Sequence, residues 1–177
     1  MLASCSIPVT GSGSIPKVAA TLEVGKTTYP ELEDRLGEPD STDRSGKRAV
    51  ANWSSGAVGM GAGTLIGSND VVFQSLGVEY DESGTVRRSL SHTNKLRSTL
   101  ATPFLSSHVA GATSDPARFS RMTRVGQIEA ELGPPQFKRI TLEGESWQWV
   151  GYPGAPGNAV LTADLDRKGR ILKVRLS

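Results

Sequence analysis

The chain states one phrase twice in the same register, and a duplicated chain folds as two copies of one unit. Leu36-Gly37-Glu38-Pro39 returns 96 residues later as Leu132-Gly133-Pro134-Pro135. The same offset carries Thr27 onto Thr123, Leu32 onto Ile128 and Trp53 onto Trp149. Asp81-Glu82-Ser83-Gly84 matches Asp166-Arg167-Lys168-Gly169 at an offset of 85. The first copy therefore holds 11 extra residues between its Trp and its closing turn, in or near Gly56–Gly67.

Each copy reads as helix, strand, strand, strand. Thr28-x-x-Glu31 is a capping-box signature with Pro30 in the first turn. Leu32 and Leu36 stand i, i+4 on one helix face. Gly37 then stops the helix in a left-handed conformation, and Pro39 prevents its continuation. Ile128, Leu132, Gly133 and Pro134-Pro135 repeat the pattern, with Arg124 in place of the capping Thr. Shorter helices are expected ahead of both, over Pro16–Glu23 and Asp115–Met122. Strands are expected over Lys47–Ser54, Val71–Tyr80 and Thr85–Ser91, then over Ser146–Gly151, Val160–Leu165 and Ile171–Leu176. Leu172, Val174 and Leu176 alternate with Lys173 and Arg175, which suggests one core face and one wet face. The expected fold class is α+β: two tandem units, each a helix-turn-helix plus an antiparallel three-stranded sheet, packed so that they share a face.

Composition narrows the function. The net charge is +2, too small for binding nucleic acid through phosphate charge alone. Residues 1–94 carry 8 basic and 11 acidic side chains and residues 95–177 carry 12 and 7, so the second half is the one suited to an anionic partner. The helices Tyr29–Leu36 and Val125–Leu132 are acidic, unlike a DNA-reading helix. No apolar run approaches the roughly 20 residues of a membrane span. One Cys excludes an internal disulfide and a CxxC site, and His92 and His108 are too few for a His-based metal centre. Neither His sits in a nucleophile motif. Glu143, Glu145, Asp164 and Asp166 read as surface carboxylates rather than a catalytic pair. The stretch Gly56–Gly67 lacks the Gly-Lys-Ser/Thr ending of a phosphate loop. No cofactor and no catalytic residue is expected.

The series Gly25-Lys26-Thr27-Thr28, Leu32, Leu36-Gly37-x-Pro39, Trp53 and Asp81-x-x-Gly84 resembles the BamE family, also called SmpA/OmlA. The second copy resembles it through Met122-Thr123, Ile128, Leu132-Gly133-x-Pro135, Trp149 and Gly169. These are small outer-membrane lipoproteins with one such unit, whereas this chain has two and a Gly-rich insertion. A tandem of helix-turn-helix plus sheet units is also similar to β-lactamase inhibitory protein, a secreted inhibitor.

Leu2-Ala3-Ser4-Cys5 resembles a bacterial lipobox, which implies lipid on Cys5; Ser6 after it implies delivery to the outer membrane. Only four residues precede Cys5, so the charged and apolar parts of a signal peptide are not among them. The organisation these resemblances imply is a lipidated flexible tether over 1–15, a first unit over 16–94, a connector over 95–114 and a second unit over 115–177. The implied function is a non-enzymatic scaffold of an outer-membrane assembly or secretion complex, on the periplasmic face, attached to the membrane through its lipid anchor alone. The expected partners are an envelope protein complex and anionic phospholipid, without nucleic acid. The alternative is a secreted inhibitor of a hydrolase, acting through the concave surface between the units. Candidate contacts for partner or lipid are Val58, Met60, Leu65 and Ile66 in the apolar insertion, and Arg87, Arg88, Arg167, Lys168 and Arg170 at the closing hairpins.

Overall fold

The computed structural model describes residues 14–58, 69–98, 116–150 and 160–177. Helix α1 (Ile15–Thr21) and helix α2 (Tyr29–Leu36) precede a meander of β1 (Ser41–Ser45), β2 (Arg48–Val58), β3 (Asn69–Asp81) and β4 (Val86–Ser98). The second unit repeats this order with α3 (Pro116–Ser120), α4 (Val125–Leu132), β5 (Phe137–Ile140), β6 (Gly144–Val150), β7 (Val160–Asp166) and β8 (Ile171–Leu176). Every neighbouring strand pair is antiparallel, in two sheets of order β1-β2-β3-β4 and β5-β6-β7-β8.

The expected fold class needs correction. Strands take 52% of the described residues and helices 22%, so the chain is mostly β, and each sheet has four strands rather than three. The unexpected strands are β1 and β5. β1 is Ser-Thr-Asp-Arg-Ser, wholly polar and mostly exposed, so it carries no apolar alternation to announce it. Its charged residues suit an edge, where a polar strand discourages further pairing. β5 has only four residues.

The two copies are built alike. Glu31 Oε2 accepts the Thr28 N–H at 2.7 Å, and Gln127 Oε1 accepts the equivalent Arg124 N–H at 3.1 Å, so the capping reach survives the loss of the Thr. Gly37 and Gly133 end their helices with φ of 80° and 76°, where a Cβ is strained. Each leaves its carbonyl pointing at the sheet. Trp53 Nε1 donates to Gly37 O at 2.8 Å, and Trp149 Nε1 donates to Gly133 O at 2.9 Å. That bond explains why the Leu-Gly-x-Pro phrase and the Trp recur together. At the closing turns, Asp81 Oδ1 accepts the N–H groups of Ser83 and Thr85, and Asp166 Oδ1 accepts those of Lys168 and Arg170. The Ser83 hydroxyl, donating to Asp81 at 2.6 Å, and then Arg87 lower the Asp81 pKa to about 2; the Arg170 backbone N–H and then its side chain lower that of Asp166.

Each unit has its own core between helices and sheet. Val18, Leu32, Trp53, Leu76, Val78 and Val86 fill the first; Phe119, Ile128, Trp149, Leu161, Ala163 and Leu165 fill the second. A fully buried side chain of this size contributes roughly 1.5–3 kcal/mol. The helices cover one face of each sheet, and the opposite face of the first sheet meets the edge of β5 through polar groups and the Phe73–Phe137 ring contact. Strand β8 also departs from simple alternation. A bulge between Asp164 and Leu165 shifts its register, so Ile171 and Val174 pack on the core while Leu172 is 53% exposed. The insertion in the first copy lengthens a hairpin: β2 and β3 stay paired as far as Val58 and Val71, whereas β6 and β7 stay paired as far as Val150 and Val160.

Candidate functional site

The units meet along β5. An edge strand leaves backbone donors and acceptors without a partner strand, and here side chains of the first sheet supply the partners. Alternation on β2 sends Ala49, Ala51 and Trp53 into the core, which leaves Val50 and Asn52 on the opposite face. Asn52 Oδ1 accepts the Ile140 N–H at 2.8 Å, and its Nδ2 donates to Ile140 O at 3.0 Å. Ser75 Oγ accepts the Lys138 N–H at 3.2 Å. Further along, Asn94 Nδ2 donates to Pro134 O and Pro135 O at 3.1 and 2.9 Å, and His92 Nε2 lies 2.8 Å from Pro135 O. Burial pushes the His92 pKa down, and the nearby Lys138 adds to the shift.

Gly77 makes this approach possible. A Cβ there would lie 2.6 Å from Asn52 Oδ1 and 2.8 Å from the Ile140 backbone nitrogen. Two ion-pair clusters sit side by side past Gly77, on the cross-strand neighbours Glu79 and Arg88. Arg167 Nη2 lies 2.8 Å from both oxygens of Glu79, whose side chain is only 6% exposed, with Arg48 on the same carboxylate at 3.4 Å. Arg88 donates to Glu145 at 2.7 Å and to Gly144 O at 3.2 Å. Phe73 meets Phe137 edge to face, with ring centroids 5.3 Å apart.

The docking face is not duplicated. The repeat offsets place Gln148 where the first unit has Asn52, and Thr162 where it has Gly77. Thr162 is β-branched, so no backbone can pass over it as closely as β5 passes over Gly77. The outer face of the second sheet therefore lacks the seat for a strand that the first sheet has.

That face forms one wall of a cleft of about 240 Å³. Arg139, Ser146, Gln148, Asp164 and Arg175 of the second unit line it, together with Thr42, Asp43 and Val50 of the first. Asp164 is engaged by Arg175 at 2.7 Å and by the Ser146 hydroxyl at 3.0 Å. Asp43 turns Oδ1 to the Arg44 N–H at 2.8 Å. Arg139 Nε is buried, and it is the one such side-chain atom without a hydrogen-bond partner among the described residues.

The hairpin cations are placed as follows. Arg87 pairs with Asp81 and Arg170 with Asp166, each within its own turn at 2.6 Å. Arg88 and Arg167 bridge the two units. Lys168 is exposed. Val58 ends β2; Met60, Leu65 and Ile66 lie outside the described residues, as do Cys5 and His108. Trp53 is buried in the first core; in the second, Trp149 is fully buried, and Trp147 is half-buried beside it with Lys138 Nζ 3.6 Å from its ring centroid. Among the described residues, no three His, Cys, Asp or Glu are grouped to hold a metal ion. The residues that sequence reasoning missed are Asn52, Ser75, Asn94 and Arg139. Gly77 was the available signal, since a lone Gly inside a strand marks a close backbone approach.

Comparison with known protein families, curated proteins and solved structures gives no match.

Proposed function

We propose that this chain is a non-enzymatic lipoprotein of a bacterial envelope, anchored by lipid on Cys5 to the periplasmic face of the outer membrane. It serves as a scaffold that stabilises an assembly or secretion complex there. The observation that carries this reading is the BamE-like phrase, present twice and followed each time by its Trp and its Gly turn. The Leu2-Ala3-Ser4-Cys5 sequence supports the location. Clamping along β5 supports a scaffold role, because one stiff body presents its surfaces at a fixed spacing and loses little freedom on binding.

The test is fractionation and intact mass of the gene product, with its upstream reading frame, in a two-membrane bacterium. An acyl mass on Cys5 in the membrane fraction, with envelope proteins recovered alongside it, supports the reading. A soluble, unmodified protein overturns it.

The cleft favours a second reading, a secreted inhibitor whose concave surface receives part of a hydrolase. Cys5→Ser separates the two. An inhibitor keeps full activity without the anchor, whereas the scaffold leaves the membrane.

A further inference from the structure

The outer edge of β8 is open and apolar where the equivalent edge of the first copy is polar. Val160 and Ser177 exchange both backbone bonds, at 2.8 and 3.1 Å, and the register runs unbroken from there to Asp164. Antiparallel pairing alternates, so Lys173 and Arg175 direct their backbone groups to β7, and Val174 and Leu176 turn theirs away from it. Thr123 O takes the Ile171 N–H at 3.1 Å, and beyond that point no backbone partner meets the outward groups among the described residues. The side chains beside them are exposed. Leu172 and Leu176 flank the core-packed Val174 and are 53% and 38% exposed. The offset of 85 places Arg87, Ser89 and Ser91 at these three positions of β4, all exposed, beside the same bulge. The first copy folds with polar residues there, so the unit does not need Leu172 and Leu176 for its packing.

We propose that β8 is a docking edge for an extended segment of the bound partner in which apolar and acidic residues alternate. An added strand gives the outward N–H and C=O groups of Val174 and Leu176 their partners. Its apolar residues lie on the face of Leu172 and Leu176, and its acids stand opposite Lys173 and Arg175. Charge selects that occupant. Register sets Lys173 opposite Asp164, whose carboxylate also bonds Arg175 at 2.7 Å, so one acid stands among two exposed cations. A second copy paired through its own β8 would set each Lys173 against an Arg175, and like charges directly opposite are destabilising. A six-residue edge is also too short for the roughly 1,000 Å² of a stable dimer. This inference deepens the scaffold reading and rests on it, but its test needs neither membrane nor anchor.

The experiment titrates the full chain with an end-blocked peptide of alternating Val and Glu, with the same peptide carrying Lys for Glu, and with phosphatidylglycerol vesicles. The readout is the amide resonance and hydrogen exchange of Val174 and Leu176, with Lys173 and Arg175 as internal controls already bonded to β7. The Glu peptide shifts and slows Val174 and Leu176, the controls keep their exchange rates, and the Lys peptide binds at least about tenfold more weakly. Leu172→Ser combined with Leu176→Ser weakens the Glu peptide at least about tenfold while Tm stays within about 3 °C of the parent. Leu176→Pro removes one outward N–H, keeps the bonds to β7, and weakens the Glu peptide as well.

No shift at millimolar Glu peptide, or equal binding of the Glu and Lys peptides, overturns the proposal. Slow exchange at Val174 and Leu176 in the peptide-free chain, with sedimentation as a dimer, assigns the edge to a second copy and overturns it. Vesicles that protect these amides as well as the Glu peptide does assign it to a lipid surface and overturn it too. A large loss of Tm in the double Ser variant makes the leucines structural, with the same consequence. A failed titration leaves the Cys5 fractionation result standing, so the two readings fail separately.

Discussion

Replacing Asn52 by Ala is expected to weaken the molecule out of proportion to the atoms removed. Asn52 is 4% exposed, and its amide answers both the N–H and the C=O of Ile140, itself 1% exposed. Truncation leaves two buried backbone groups without partners, at about 1–3 kcal/mol each. A water entering the vacated space would recover part of this, so the net loss is about 2–5 kcal/mol. For a chain of this size that corresponds to a fall in Tm of roughly 5–15 °C. Asn52→Asp is a sharper control. It keeps an acceptor for the Ile140 N–H but sets a carboxylate oxygen against Ile140 O, so it should cost at least as much. Scanning calorimetry and urea denaturation at neutral pH read both variants. A Tm within about 1 °C of the parent for Asn52→Ala would refute the reasoning, because the edge of β5 would then be satisfied by other means.

Gly77→Val places a branched side chain where the Ile140 backbone nitrogen would be 2.8 Å from its Cβ. It should separate the units while each core survives, visible as amide shifts concentrated in β5 and at His92 and Asn94. Trp53→Phe and Trp149→Phe each remove the bond to the helix-ending glycine carbonyl and should cost similar amounts, about 1–2 kcal/mol by urea denaturation, since the two sites are equivalent. His92 has a pKa below its ordinary 6.5 in the folded state, so the unfolded chain binds the extra proton. Its contribution is complete above 6.5 and declines as pH falls below that. Tm should therefore drop between pH 7 and pH 5, and His92→Gln should flatten that drop; an unchanged pH profile in the variant would exclude His92 as its source.

Much of each unit was legible because duplication doubled every signal. The Gly stop, the buried Trp and the Asp-x-x-Gly turn each appear twice, and the packing within one unit is local enough to follow from spacing. The polar edge strands were not legible. Ser41–Ser45 has no apolar residue, so nothing in its pattern distinguishes an edge strand from a loop. The mode of association was hidden for a different reason. Pattern reasoning looks for apolar faces to bury, and the units join through Asn52, Ser75, Asn94 and His92, whose types suggest solvent. Glu79 and Arg167 also read as surface charges, although they are 88 residues apart and pair with each other, Glu79 buried and Arg167 half exposed. Charge counts for the two halves gave no warning of it, because the seam carries one pair in each direction, Glu79 with Arg167 and Arg88 with Glu145. Arg139 could not be singled out from sequence, since whether its Nε finds a partner depends on how the strands pack.

The central claim is that side chains of the first sheet seal the outer edge of β5 and join two copies into one body. Amide hydrogen exchange tests it directly, because the repeat supplies an internal control. Ile140 and Arg44 occupy equivalent positions on equivalent edge strands; Ile140 N–H is held by Asn52, while the exposed Arg44 N–H has only the Asp43 side chain. The account predicts that Ile140 exchanges as slowly as the core amides of its sheet, that Arg44 exchanges near the rate of an open strand, and that Asn52→Ala brings the two rates together. Fast exchange at Ile140 in the parent protein, equal to that at Arg44, would contradict it.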